Sequence, residues 1–481
     1  MQDEKEGSTL SVKTIKEKVR DWESRHLLAA RFLEYSLFVV LFSFAAGLAF
    51  TFFDLFHTDV DSARYMLSAL VQSQAAIIAI VISLTLIAVQ LTASAYSPRV
   101  IRIFLKNPDM WLLLAFYGVS ISYGLLVLKM IRGEDLRNIL LFGYPLEYHI
   151  VSVYLYGGIT FLMLFFYTRN IINLLNPSTI INRLANEITK DIILNPNEDP
   201  VQPIVDIIHG SIMKYDLETT RVGLKAVTDQ VLEIIGPDDE KRISERFCDH
   251  LTRVGRLAIS REDDESTKEV IMNSEDFRKS TAEKGLEGAA SQATESLETV
   301  GKAAVKKGLE GATSQATKAF ETIGKAAAVE GLEDTTETAV RTLETIGKVA
   351  AMKKLEVATG GVALALGDVG IAAAEKELKF ATGGAAKSLG DIGKIVVEKG
   401  FEGVPLLVAL SLRNIGEAAT EKELIAATWR AAKSLAELTI FSDETVKDDI
   451  QNYVFKKQDS ESSQKFMKLY EQELEKLRAE K

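Results

Sequence analysis

Cys248, Asp249 and His250 stand side by side and form the one tight cluster of reactive side-chain types in this 481-residue sequence. A thiol, a carboxylate and an imidazole together could ligate a metal. A zinc site built that way needs a second ligand pair, and none follows at ligand spacing, so a plain core or surface role is the simpler assignment. Cys248 is the only cysteine. That excludes an intramolecular disulfide and a Cys-based zinc site, and it fits a reducing compartment. His26, His57, His149 and His209 are scattered, without catalytic spacing. Gly360-Gly361 and Gly383-Gly384, each followed by a GDxG step, look slightly like a phosphate loop. No strand pattern precedes them, as a dinucleotide fingerprint requires, and no Walker loop occurs. The expectation is a chain with no catalytic residue, no cofactor and no bound metal, and hence no enzymatic activity.

A second set of polar residues lies in apolar surroundings. Gln72, Gln74, Ser83, Thr85, Gln90, Thr92 and Ser94 fall within one charge-free run, 65–98. Lipid offers such side chains no partner, so they either bond between helices or line a wet path. Interhelical bonding is the simpler reading; a pore in an oligomeric channel is the alternative.

These residues require membrane helices to position them. Uncharged apolar runs occupy 35–53, 75–91, 110–128 and 150–168. At about 1.5 Å per residue, 19 residues span roughly 28 Å, close to the hydrocarbon thickness of a bilayer. Soluble core helices rarely stay uncharged so long, four times over. The four cores contain no Asp, Glu, Lys or Arg, which argues against a proton relay or a charged-ion transport site. No cleavable signal is evident in residues 1–31, which mix both charges. Arg20, Arg25 and Arg31 before the first run, and Arg99, Arg102 and Lys106 after the second, favour cytoplasmic termini with 54–64 outside. Lys129, Arg132 and Arg137 in the third loop dissent. Pro98 disfavours helical geometry at Ser97 and should end the second helix there. Arg99, Arg102 and Lys106 then reach the headgroup level, either on a short interfacial helix against anionic lipid or in a plain basic loop.

Residues 62–132 carry several coupled features. These are the Ala-Arg pair at Ala63 and Arg64, the Ser-Leu-Thr-Leu run at 83–86, Gln90 near the end of the second run, and the Ser-Pro-Arg corner at 97–99. Together they resemble the DUF2254 family of predicted membrane proteins, over about 30–175 of this chain. The resemblance implies a membrane topology and brings no reaction, ligand or catalytic residue with it. The C-terminal repeats are not typical of that family.

Beyond a proline-rich linker at 195–203, helical periodicity continues to about 260, and an acidic stretch at 261–266 reads as a loop. A repeat with a period of 23 follows. LETVGK at 297 recurs as FETIGK at 320, LETIGK at 343, LGDVGI at 366, LGDIGK at 389 and LRNIGE at 412. A second register holds Leu286, Leu309, Leu332, Leu355, Leu378, Phe401 and Leu424, and LTRVGR at 251 stands two periods before 297. At 100° per residue, 23 residues advance about 2,300°, about 140° away from whole turns, so one continuous helix could not bury the leucines along one face. The chain must break once per repeat, as in a stacked array. Gly308, Gly331 and Gly400 suit a helix C-cap; Lys354, Glu377 and Glu423 take that place elsewhere. Whether the Ile-Gly step divides each repeat into two helices stays open.

The expected fold is all-α. A cytoplasmic segment, 1–31, precedes a four-helix transmembrane domain, 32–175. A helical cytoplasmic linker domain, 176–260, an acidic linker, 261–280, solenoid-like 23-residue repeats, 281–440, and a charged terminal helix, 441–481, follow. Membrane lipid is one expected partner, and a protein partner or a second copy bound through the repeats is the other. The net charge of −11 argues against nucleic acid.

Overall fold

The computed structural model describes residues 59–95, 108–131, 140–141, 144–454 and 460–480, with Leu37, Leu41 and Ala45 as isolated helical positions. The chain divides into two compact units, residues Met1–Ile180 and Ile181–Lys481. The described residues are almost wholly helical, as expected.

Three long helices build the first unit: α1 (Val60–Ala95), α2 (Pro108–Met130) and α3 (Leu146–Leu174). They coincide with the second, third and fourth apolar runs. The first run lies outside the described residues apart from its isolated positions. Each helix packs on the other two. The 36 residues of α1 extend about 54 Å, longer than a bilayer core, so one end must emerge from it. Much of α1 is exposed, with Ile80, Leu84, Leu86 and Leu91 uncovered. Such a surface suits lipid or another helix rather than water. A two-residue hairpin, β1 (Leu140–Leu141) with β2 (Tyr144–Pro145), leads antiparallel into α3. Arg64 closes the far end of α2 by donating to the carbonyl of Ile131 at 3.0 Å, where a helix leaves its last acceptors open.

Helix α4 (Pro177–Asn186) runs into the second unit, where α5 (Lys190–Leu194), α6 (Gln202–Met213) and α7 (Leu217–Ile234) come first. The array itself comprises α8 (Glu240–Ser260), α9 (Asp264–Glu283), α10 (Glu287–Lys307), α11 (Glu310–Val329), α12 (Glu333–Met352), α13 (Glu356–Glu375), α14 (Lys379–Lys399), α15 (Val404–Glu421) and α16 (Ile425–Phe441). Each 23-residue repeat is therefore one helix and one tight turn. The turn recurs in one form, lengthened by two residues only before α15. Glu262, Gly285, Gly308, Gly331, Lys354, Glu377, Gly400 and Glu423 all take positive φ, at intervals of 23 residues. The next amide reaches back five residues, as Leu355 N–H does to Ala350 at 3.0 Å and Leu378 N–H to Ala373 at 2.9 Å. This is the Schellman arrangement, favoured by glycine but adopted here by lysine and glutamate as well.

Two expectations change. Residues 261–280 are no linker: they contain the α8–α9 turn and most of α9. The acidic residues there are helix caps. Asp263 accepts from Ser266 N–H at 3.0 Å, and Asp264 takes the N–H groups of Gly311 and Ala312, at 2.9 and 2.7 Å, at the start of α11. Carboxylates suit such open helix N-termini. The array also begins upstream of 281, because Glu262 is in register and Gly255, in LTRVGR, packs like the later glycines.

From α9 to α15, each array helix contacts both its sequence neighbours and the helices two before and two after. The inward stripe in most array helices is one leucine or phenylalanine followed three residues later by a Val or Ile, such as Leu343 and Ile346, all essentially inaccessible. The Ile-Gly step does not divide the helix. Its glycine is a notch that receives the Val or Ile of the helix two along, 45 residues later. A Cβ built on Gly255, Gly324, Gly347, Gly370 or Gly393 would lie 2.5–2.9 Å from Val300, Val369, Ile392, Ile415 or Leu438 respectively. Salt bridges also join helices two apart, at a step of 43 residues: Lys348 to Asp391 at 2.9 Å and Lys394 to Glu437 at 2.8 Å. Both alternating rows of helices thus share one register, and the packing unit is 46 residues long. Helix α13 is apolar and long enough to cross a membrane by composition alone. Its position in this unbroken series, buried by α11, α12, α14 and α15, assigns it to the array.

At the C-terminal end, α17 (Glu444–Asp449), a π-helical turn (Ile450–Val454) and α18 (Glu461–Glu480) close the array. Phe466, Met467 and Tyr470 of α18 are buried, and the Phe466 ring fills the notch at Gly416.

A candidate site in the membrane helices

Gln74 and Thr85 are eleven residues apart, which at 100° per residue puts them within about 20° of one another on α1. Thr92 continues the same face. Both Gln74 and Thr85 are buried and bonded across the bundle. Gln74 Nε2 donates to Ser120 Oγ of α2 at 3.0 Å and to Thr160 Oγ1 of α3 at 2.8 Å. The Ser120 hydroxyl can donate in return to Gln74 Oε1 at 3.3 Å. The Thr85 hydroxyl meets the Tyr167 phenol of α3 at 2.5 Å. Gln74 is thus the bonded centre of three helices, where an unmade bond would be costly.

Gln72, Ser83 and Gln90 share the opposite face by the same arithmetic, and all three are exposed. Gln72 donates to Ser68 Oγ at 3.1 Å and Ser83 to the Ala79 carbonyl at 2.9 Å, both within α1. The five polar residues therefore separate into an inner stripe that knits one bundle and an outer stripe facing away from it. Arg99, Arg102 and Lys106 lie outside the described residues, as does the corner at 97–99.

More polar groups join the inner stripe than the sequence reading singled out. Asp109, in the first turn of α2, is buried and hydrogen-bonds Asn170 near the end of α3. Toward the other end, His149 Nε2 lies 2.7 Å from the Leu141 carbonyl and Nδ1 2.7 Å from the Tyr123 hydroxyl. A carbonyl only accepts, so Nε2 carries the proton and neutral Nδ1 accepts from Tyr123. Tyr123, His149, Ser152, Tyr156 and Ser120 line an open cavity of about 690 Å³. Hydropathy averaging hides these groups because Asp109 and His149 each stand one residue before an uncharged run.

The reactive cluster of the second unit is engaged elsewhere. Cys248 is buried, and desolvation, helped by Asp249 and Glu295, pushes its thiol up to about 12. His250 donates Nε2–H to the Asp199 carboxylate at 3.1 Å, which ties α8 to the start of α6. Burial pushes the Asp199 carboxyl up, but the hydrogen bond and charge of His250 and the amides of Gln202 and Val201 outweigh it and hold it below the usual range. Burial lowers the His209 imidazole below its usual value, and Arg253 adds to the effect. Arg246 continues the grip with hydrogen bonds to the carbonyls of Ile193 and Asn195. No group of three or more His, Cys, Asp or Glu side chains among the described residues is arranged to hold a metal.

Residues 27–222 match the family DUF2254, described as predicted membrane protein. The match includes the stretch that carries the resemblance and runs past it into α7. No curated protein matches the chain. A solved structure entitled "Circular tandem repeat protein with novel repeat topology and enhanced subunit contact surfaces" is similar at 13% identity. It covers 88% of this chain and 99% of that chain with a TM-score of 0.33, too distant to carry an argument.

Proposed function

We propose that this chain, whose residues 27–222 match DUF2254, is a non-enzymatic membrane protein whose helical array is a cytoplasmic platform for a protein partner or a second copy. The supporting observation is the array surface. Its core is complete without help, yet Val357, Phe380 and Ile425, in the first turns of their helices, are 72%, 69% and 82% exposed. Large apolar side chains left in water in the first turns of several array helices suit a contact surface. The most reactive side chains, Cys248 and His250, are committed to packing and to an ion pair, which favours a binding role over a reaction. A photo-crosslinking residue at Phe380 in native membranes should give a discrete adduct, whose absence there and at Val357 and Ile425 would count against the platform.

The same reading puts both termini in the cytoplasm, 54–64 outside, and Arg99, Arg102 and Lys106 at anionic headgroups. A cysteine at Thr58, in a Cys248→Ser background, should react with an impermeant maleimide on intact cells while one at Ser460 stays protected; the reverse pattern would invert the topology. A second reading, an oligomeric channel, draws on the outer stripe of α1, where Gln72, Ser83 and Gln90 could face a shared path between copies. Reproducible unitary conductance abolished by Gln72→Leu or Gln90→Leu would favour it.

A further inference from the structure

We propose that the inner seam of α1, α2 and α3 is a proton path through the hydrophobic layer, with the Asp109 carboxylate at one end and the Tyr123–His149 cavity at the other. The first observation is a stripe on α3. His149, Ser152, Tyr156, Thr160, Tyr167 and Asn170 follow at steps of three, four, four, seven and three residues, so they fall on one face of the helix. From the first to the last is 21 residues, about 32 Å, the thickness of a bilayer core. The stripe therefore reaches from one side to the other.

The stripe also connects laterally. His149, Ser152 and Tyr156 share the cavity with Tyr123 and Ser120 of α2. Ser120 and Thr160 are bridged by the Gln74 amide, and Tyr167 is bonded to Thr85. Asn170 is bonded to Asp109.

The single missing step on α3 falls at Met163. There α2 contributes Tyr117, which belongs to the same buried cluster as Met163 and Tyr167. The Tyr117 hydroxyl is fully buried and has no hydrogen-bond partner. A phenol kept in an apolar core without a bond destabilises the fold, so structural glue does not account for it. A relay does, because it supplies a polar atom where the stripe would otherwise break. Asp109 points the same way: an ionisable group buried in the first turn of a membrane helix is expensive unless it has a task.

In the step itself, the hydroxyls, the His149 imidazole and the Asp109 carboxyl each accept a proton on a lone pair as they pass their own onward, while the Gln74 and Asn170 amides only donate N–H bonds that hold these groups in line. O–H bonds and, at His149, N–H bonds form and break in sequence, no other covalent bond changes, and the net event is one proton taken up at one end and released at the other. The direction follows the imposed gradient.

The full-length protein in liposomes containing a pH-sensitive dye, with a potassium gradient and valinomycin to set the voltage, reads this flux. Acidification should exceed that of protein-free liposomes. Asp109→Asn should reduce it to the protein-free rate, and Leu84→Ala on the exposed side of α1 should leave it unchanged. Tyr117→Phe is the discriminating variant. It removes a hydroxyl that makes no bond, so thermal stability should hold or rise while proton flux falls. Flux no greater than that of empty liposomes, or full flux through Tyr117→Phe and Asp109→Asn, would overturn the proposal and leave the seam as helix packing alone.

Discussion

At Gly347 two neighbouring helices leave no room for a side chain. A Cβ there would lie 2.5 Å from Ile392 Cδ1 and 2.8 Å from Val362 Cγ1, so the intrusion is resisted by two different helices. Replacing Gly347 by leucine should raise intrinsic helix preference by about 0.8 kcal/mol. Four carbons forced into a filled notch should cost about 3 kcal/mol. The net expectation is a loss of about 2 kcal/mol, roughly a thirtyfold increase in local opening. Gly361, with nothing within 4 Å of its built Cβ, provides the control: Gly361→Ala should gain about 1 kcal/mol from propensity alone. Hydrogen exchange read by mass spectrometry on α12 and α14 peptides measures local opening directly, which suits a repeat array better than a single melting transition.

A double-mutant cycle sharpens the test. Ile392→Ala alone should destabilise by about 2–5 kcal/mol, because it empties the notch. Combined with Gly347→Leu it should destabilise by less than the sum, with a coupling of up to about 3 kcal/mol, since the new side chain occupies the space the old one left. Strict additivity, or a Gly347→Leu protein as protected as the parent, would refute the notch as the contact that sets the register.

Three further perturbations test the second unit. Deleting 320–342 should remove one helix and leave the 45-residue Gly-to-Val/Ile steps intact in the remaining helices, whereas deleting only 320–330 should break them; thermal unfolding should show a much larger loss for the shorter deletion. Lys354→Gly, Glu377→Gly or Glu423→Gly, at φ of +58°, +59° and +56°, should each stabilise by about 1 kcal/mol in urea unfolding, because glycine bears no left-handed penalty. Lowering the pH through the ordinary histidine value of 6.5 should loosen α6 from α8: His209 has a depressed folded value, the open form binds the proton more readily, and its stabilisation, full above that pH, is lost below it. Hydrogen exchange of α6 at pH 7.5 and 5.5 checks this, and His209→Leu should remove the dependence.

How much was legible follows from what each signal averages over. Long uncharged runs locate α1, α2 and α3 because lipid excludes charge along a whole helix. The period of 23 locates the array because one repeat equals one helix. The Ile-Gly step stayed ambiguous because a glycine in sequence reads as a break, and only the side chain arriving from 45 residues away identifies it as a notch. The α8–α9 region was hidden because Asp263 stands where later copies have leucine, so acid caps looked like a loop. At the candidate site, Gln74 and Thr85 were visible as polar residues in an apolar run. Their partners were less so, since Ser120, Thr160 and Tyr167 carry no charge and gain meaning only from the faces of two other helices. Asp109 escaped a search for charge inside the cores by standing one residue outside.

The two units solve the same problem with opposite chemistry. Membrane helices gain no hydrophobic drive from meeting one another in lipid, so α1, α2 and α3 are joined by hydroxyl, amide and carboxylate contacts through their middle. In water the array can use burial, but its helices are rich in alanine, and each buries little area alone. Glycine notches compensate by letting helices two apart approach closely and insert a branched side chain, and from α12 to α15 the identical 45-residue step lets each helix both carry a notch and fill one. That arrangement leaves the last acceptor, Gly416, without a further repeat to fill it. The chain supplies Phe466 from α18 instead, with Ser463 bonded to Glu417 at 2.6 Å beside it. The charged C-terminal helix is thus the end-cap that the repeat geometry demands, and its apolar stripe turns inward because the final notch would otherwise stand open to water.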